Sequence, residues 1–415
     1  LLKAGLAAKD SKLDDVTFLF GPASSSIVAA FGEAFGKMPR VLLRDADSLT
    51  DPGPVIRPSS DEIPNPAERS ARLQLFGEIA RGGMGAVLKG RDADLGRELA
   101  VKILLESHRD KPEMVRRFIE EAQIAGQLQH PGIVPVYELG AFGDHRPYFA
   151  MKLVKGQTLA EILANRKSLS EGLPKLLSIF ESICQTMAYA HARGVIHRDL
   201  KPSNVMVGSF GEVQVMDWGL AKVLPRGGVV DDASAGHTKE QATLISTARS
   251  GTDSDLSQAG SVMGTPAYMA PEQARGEVED VDERADVFAL GSIFCELLTG
   301  QPAFSGRNSG EILRKAARGD LADAVTRLDK SDLGRDPELI ALAKSCLSSE
   351  REDRPRHAGE IAERMSLYHS RVQERLRQSE IERAEQKARA EEAIKRATVE
   401  RQRLRLTVAL AASII

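Results

Sequence analysis

The sequence predicts an α+β fold in two lobes, a small antiparallel sheet followed by a mainly helical body. Three observations carry this reading. Between residues 73 and 155 short apolar runs alternate with turn residues, as strands do. Beyond residue 158 apolar residues recur at helical spacing. Strands gathered first and helices second is the order of an α+β architecture, not of alternating βαβ units.

Taken in order, residues 75–80, 86–90 and 99–104 read as three strands separated by turn signals. Residues 112–128 carry charge and helical periodicity behind Pro112, and 134–139 and 148–154 read as further strands. Helices are predicted at 173–192, 285–299, 309–318, 337–347 and 357–369, with a strand at 205–207.

The flanks differ in composition. Residues 1–44 hold short apolar patches and carry no functional signal. Residues 45–72 are rich in Asp, Pro and Ser and read as a solvated linker. Residues 225–262, rich in Ser, Thr, Gly and Asp, interrupt the helical body as a long insert, and loops of that length are functional or disordered. No Gly or Pro follows Gly359, so the charged stretch 367–405 reads as one long helix. Glu385–Arg389, Glu391–Lys395 and Glu392–Arg396 are i,i+4 pairs in the favourable orientation. Its apolar stripe is thin, so pairing with a second copy and a solvated helix both stay open. Residues 406–415 are apolar and follow Arg401, Arg403 and Arg405, as the start of a membrane-spanning helix with its cytoplasmic side first would. A full span needs about 20 apolar residues. The chain, which opens on Leu1, therefore reads as part of a longer protein.

The 415 residues exceed one ordinary core, and 42% apolar content is enough to bury a large one. A formal net charge of -3 argues against a nucleic-acid partner. Cys184, Cys295 and Cys346 are far apart and lack any metal-ligand spacing, so they read as buried thiols in a reducing compartment.

Four motifs carry chemistry. Ala80-Arg81-Gly82-Gly83-Met84-Gly85-Ala86-Val87 lets backbone approach a phosphate. Alone it is a weak signal. A dinucleotide-binding turn would lead into a helix, whereas 86–90 is strand-like, so this loop joins two antiparallel strands. Lys102 sits in the apolar run Leu99-Ala100-Val101-Lys102-Ile103. Burying it unpaired is costly; an edge lysine in water is the bland alternative, and pairing with Glu121 in the next helix is the functional one. Val195-Ile196-His197-Arg198-Asp199-Leu200-Lys201-Pro202-Ser203-Asn204 is the strongest signal. Asp199 can accept a hydroxyl proton, Lys201 can neutralise a phosphoryl group, and Asn204 can bind a metal. In Val215-Met216-Asp217-Trp218-Gly219, the Asp217 carboxylate at a strand end can join Asn204 on Mg²⁺, a hard cation that prefers oxygen. Trp218, the sole tryptophan, also fits a core position.

The ordered set resembles the protein kinase family over residues 73–366. The phrases D-L-K-P-S-N from Asp199 and G-T-P-A-Y-M-A-P-E from Gly264 are similar to its serine/threonine branch, and the wording resembles bacterial, planctomycete-like receptor-type kinases. The resemblance implies a two-lobed kinase fold, with lobes at 73–155 and 156–366, and phosphotransfer from ATP with Mg²⁺ to protein substrates. By position it implies catalytic roles for Lys102, Glu121, Asp199 and Lys201, and metal ligands at Asn204 and Asp217. It places nucleotide around Ile79, Gly82, Gly85, Val87, Ala100, Lys102, Met151, Lys152, Val154 and Met206. Met151 matches the gatekeeper, and Lys152 and Val154 match the hinge backbones that bond adenine. Thr265 matches a residue contacting Asp199, Asp286 a brace of the catalytic loop, and Glu272 with Arg354 a buried ion pair. Departures are Ala80 for the first loop glycine, Trp218 for a phenylalanine and Lys152 for a hinge glutamate; none removes a reacting group.

Rival readings are an ATP-binding pseudokinase scaffold, a membrane sensor or assembly module working through the C-terminal helix, and a small-molecule phosphotransferase. The first lacks support because lysine, base and metal ligands are all present, and the last because of the stretch from Gly264 to Glu272. The insert is expected to regulate, with phosphate on Thr252, Ser254, Ser257 or Ser261 pairing with Arg198. A homodimer through the kinase domain or the long helix, a cytoplasmic kinase domain and an inner-membrane anchor complete the expectations.

Overall fold

The computed structural model describes residues 72–142, 144–224, 264–331 and 336–412. The expectations for 1–44, for the linker as far as residue 71 and for the insert 225–262 lie outside the described residues. Two compact units divide at Ala362.

In the first unit, β1 (Leu73–Arg81), β2 (Gly85–Asp92), β3 (Arg97–Leu104), β4 (Val136–Ala141) and β5 (Pro147–Lys152) form one antiparallel sheet in the order β1-β2-β3-β5-β4. Alternation along β3 divides its residues between two faces. Leu99, Val101 and Ile103 join Leu73, Ala86, Leu88 and Ala150 in one apolar cluster. Ala100, Lys102 and Leu104 point the other way. There Leu104 and Phe149 meet Phe118 and Ala122 of helix α1 (Pro112–Gln127), with the Phe118 and Phe149 rings 5.2 Å apart. Phe118, Glu121, Ala122 and Ala125 follow helical spacing and are buried together, so the packing that seats α1 also brings Glu121 over the sheet.

The helical body begins with β6 (Gln157–Thr158) and α2 (Leu159–Ala164), where Thr158 and Glu161 form a reciprocal capping box. Helix α3 (Leu173–Ala192) leads into the short strands β7 (Val195–Ile196), β8 (Val205–Val207), β9 (Val213–Val215) and β10 (Lys222–Val223). These pair as β6-β8-β9 and β10-β7, and so hold the segments that carry Asp199 and Asp217. After α4 (Pro271–Ala274) comes α5 (Glu283–Thr299), capped by Asp282 and closed by Gly300 in the left-handed region. Residues around its whole circumference are buried, the mark of a helix inside a core. Phe180 of α3 stacks on Phe294 at 4.3 Å. Helices α6 (Ser309–Arg318), α7 (Ala322–Lys330) and α8 (Pro337–Cys346) surround it, and α9 (Ala358–Ala412) follows without interruption.

The second unit, from Glu363, is the remainder of α9. Glu385–Arg389 and Glu392–Arg396 form i,i+4 ion pairs at 3.4 Å with both partners exposed, and such surface pairs contribute little each. Among the described residues no helix is long and apolar enough to cross a membrane.

Candidate active site

The hairpin between β1 and β2 presents the glycine loop. Gly82 N donates to Gly85 O at 2.9 Å and closes the turn. At Gly85 a Cβ would lie 2.6 Å from Ile103 O, so only glycine lets β2 pass β3 there; at Gly82 a Cβ would meet Gly85 O at an ordinary 3.8 Å, and its value lies in bare backbone. The His108 ring meets Gly83 O through Nε2 at 2.8 Å. The β1–β2 register shifts between Glu78 and Ala80, which puts Ile79 in a bulge that can re-aim its side chain.

The strand register brings the next residues together. Val87 pairs with Lys102, Lys102 with Phe149, and Ala100 with Met151, so Val87, Ala100, Lys102 and Met151 share the face toward α1. Lys152 pairs with Leu99, and its N–H donates to Pro135 O at 3.0 Å. Val154 lies in the connection from β5 to β6, and Met206 lies on β8.

Lys102 Nζ meets Glu121 Oε1 at 2.5 Å and Asp217 Oδ1 at 3.8 Å, with 15% of the lysine side chain exposed. Burial works against the ammonium, but Glu121 and then Asp217 outweigh it, so Lys102 is held charged above its ordinary pKa. The lysine is therefore a paired, largely buried cation, not an edge residue.

Two loops complete the candidate site, and each holds a residue in an uncommon backbone conformation. Arg198 has φ 66° and Asp217 φ 61°, a region uncommon for residues other than glycine. Asp286 at the start of α5 is fully buried and accepts from His197 N at 2.7 Å and Arg198 N at 2.9 Å, with the His191 ring at 3.0 Å. Arg198 Nε donates to Leu220 O at 2.7 Å. Gln273, which the motif reading missed because it falls just past Glu272, donates to Arg198 O at 2.6 Å. A buried amide one residue beyond a motif leaves no spacing signal.

Asp199, Lys201 and Thr265 form a closed ring. Lys201 Nζ lies 2.7 Å from Asp199 Oδ2 and 2.8 Å from Thr265 Oγ1, and Thr265 donates to Asp199 Oδ1 at 2.9 Å. Asn204 Nδ2 donates to Asp199 O at 2.9 Å, which leaves its Oδ1 as the atom it can offer a cation. Asp217, its side chain 55% exposed, offers a carboxylate. Amide and carboxylate oxygens suit a hard cation such as Mg²⁺, so this donor set fits one. Among the described residues no cluster of three or more His, Cys, Asp or Glu forms another metal site. Trp218 is buried, with its ring 4.8 Å from that of His197, and its turn packs against α1. Gly219 leaves room there: a Cβ would sit 3.2 Å from both Asp217 Oδ1 and Glu121 Oε2. Farther down, Arg354 grips buried Glu272 with two bonds of 2.7 and 2.9 Å.

The protein kinase domain model matches residues 73–365. The chain belongs to the protein kinase family. Among curated proteins it is similar to the serine/threonine-protein kinase PknD of Protochlamydia amoebophila, 33% identical over 71% of this chain and 30% of the relative. It is also similar to the serine/threonine-protein kinase PknB of Mycobacterium tuberculosis, 32% identical over 71% of this chain and 42% of the relative. PknD of Chlamydia muridarum is 37% identical over 55% and 24%. The kinase domain is of the bacterial serine/threonine type, and the matched region spans less than half the length of these relatives.

Proposed function

We propose that this protein transfers the γ-phosphoryl group of ATP to serine and threonine hydroxyls of protein substrates, itself included. The observation that carries the reading is the ring of Asp199, Lys201 and Thr265, together with the Lys102–Glu121 pair that Asp217 approaches to 3.8 Å. In this reading Asp199 takes the proton of the acceptor hydroxyl as its oxygen bonds to the γ-phosphorus and the bond to the bridging β,γ-oxygen breaks. Lys201 balances charge on the moving phosphoryl group. Lys102, held by Glu121, orients the phosphates, and Gly82 and Gly85 let the backbone close over them. Ile79, Val87, Ala100, Met151 and Met206 wall the adenine, and the Lys152 and Val154 backbones bond its edge. Asn204 and Asp217 would hold Mg²⁺, which when bound supplies neutralisation of phosphate charge.

The test is Asp199→Asn, which keeps the shape and removes the base. Phosphotransfer is expected to fall about 10²–10⁴-fold with ATP binding retained, and phosphoamino-acid analysis of the wild type to return Ser and Thr. Wild-type turnover in the variant, or a phosphotyrosine product, overturns the reading; a wild type that binds ATP without transfer would make it a scaffold.

The kinase domain is proposed to act from the cytoplasmic face of a membrane, with residues 406–415 contributing to an anchor behind Arg401, Arg403 and Arg405. Self-association through the kinase domain or α9 belongs to the same proposal.

A further inference from the structure

Asp199 directs its carboxylate from a loop whose preceding residue is held in an uncommon conformation, and the restraints on that residue come from two sides. Arg198 sits at φ 66°. Its N–H donates to Asp286 Oδ1 at 2.9 Å, and its carbonyl accepts from Gln273 Nε2 at 2.6 Å. The two bonds act on the two ends of one residue, so together they set the rotation at which the chain enters Asp199. Asp286 belongs to the core helix α5, whereas Gln273 belongs to α4, one residue from the buried Glu272–Arg354 pair. Gln273 is itself 9% exposed. Gly264, at φ +117°, closes over the junction: a Cβ there would lie 3.1 Å from both Arg198 O and Gln273 Nε2. The amide-to-carbonyl bond is thus covered by the backbone of the segment that brings Thr265 to Asp199.

We propose that Gln273 is a positioning residue for the catalytic base. Its amide fixes the Arg198 carbonyl, and through it the aim of Asp199 relative to Lys201 and Thr265, and it registers residues 264–274 against the catalytic loop. The inference rests on Asp199 being the base. A residue that only filled space here would be replaceable by any side chain of the same size. A residue acting through its donor is not, because a glutamate of the same shape turns a carboxylate oxygen toward the Arg198 carbonyl and repels it. The protonated carboxyl group recovers a donor, and burial beside a carbonyl raises the pKa at which that happens.

The experiment compares the wild type with Gln273→Leu and Gln273→Glu in the full chain, reading kcat, the KM for ATP and the pH profile on a generic protein substrate. Gln273→Leu is expected to lower kcat roughly 10- to 100-fold with the KM for ATP unchanged, the size of effect that a small misplacement of a reacting group produces. An unchanged KM also reports that the variant is folded. Gln273→Glu is expected to show an activity ratio to wild type that climbs as pH falls from about 8 to about 6, the direction in which a buried carboxyl group gains its proton. A kcat for Gln273→Leu within about twofold of wild type, set against the tenfold expected for a 1.36 kcal/mol effect, overturns the proposal. So does a Gln273→Glu ratio that is flat across that pH range. Failure of the functional reading looks different: the wild type itself then transfers no phosphate, and the proposal falls with it.

Discussion

Asp286→Asn removes one charge from the fully buried start of α5 and changes no volume. The carboxylate accepts from His197 N at 2.7 Å and Arg198 N at 2.9 Å, and the His191 ring lies 3.0 Å from it. His191 Nδ1 accepts from Ala358 N at 3.2 Å, so Nε2 carries the proton toward Asp286. A carboxamide has one acceptor oxygen. Its best placement keeps that oxygen where His197 N and His191 Nε2 converge and turns the NH₂ toward Arg198 N, donor against donor. The change loses one bond to a charged acceptor, about 1.5–3 kcal/mol, and strands a buried N–H, about 1–3 kcal/mol, for a combined loss of about 2.5–6 kcal/mol. That is a large share of the 5–15 kcal/mol, roughly, that holds a domain together. Urea unfolding followed by far-UV circular dichroism should show the midpoint falling with little change in slope. Burial raises the Asp286 pKa, but the hydrogen bond from His191 and the N–H of His197 work against it, and the net direction is down. A folded-state pKa below the unfolded value of about 3.9 makes this stabilisation present above that pH and lost as pH falls through the folded value. Wild-type stability should therefore drop more steeply below about pH 4 than that of Asp286→Asn. A loss under about 1 kcal/mol, or parallel acid limbs, would refute the argument that the carboxylate holds the loop.

Two further outcomes are expected. Arg354→Met leaves the buried Glu272 carboxylate without its ion-pair partner and abandons the carbonyls of Ser348, Ser349 and Arg284; denaturant titration should show a loss of about 3–5 kcal/mol, and one below about 1 kcal/mol rejects the assignment. Cell fractionation of the full-length gene product should place the kinase with membranes, and recovery wholly in the soluble fraction rejects the anchor.

Much of the fold was legible because its long elements carry strong patterns. The helices at 173–192 and 309–318 are read from the sequence with the bounds they have in the structure, and the sheet strands fall within a few residues of theirs. What escaped the sequence was short or ambiguous. Helix α2 spans Leu159–Ala164, too few turns to establish a period, and is held by the Thr158–Glu161 capping box and by burial of Leu159. Helix α7, Ala322–Lys330, buries Ala324 and Leu328 on an otherwise charged segment. The separate helix read at 357–369 is the first part of α9, because nothing between Ala358 and Ala412 interrupts it.

Residue identity suggests the chemistry proposed for the site, but the site's geometry is a long-range property. Among the described residues the non-glycine positions with positive φ are His145, Arg198 and Asp217, and two of these lie in the proposed site, one before Asp199 and one at Asp217. Neither loop contains a glycine at that position or any local pattern that would hold the strain. Arg198 is held by Asp286 and Gln273, 88 and 75 residues away in the chain. Asp217 follows β9 and is fixed by the turn packed on α1. Strain of this kind costs about 1–3 kcal/mol per residue and persists only where the surroundings over-determine it. The stability of α5 and of the sheet is thus spent at two peptide units, and the aim of Asp199 and Asp217 depends on the whole domain being assembled. A substitution remote in sequence, at Gln273 or Asp286, should therefore act on turnover before it acts on nucleotide affinity, because most of the residues proposed to meet the nucleotide are mounted separately on the sheet strands β1, β2, β3 and β5.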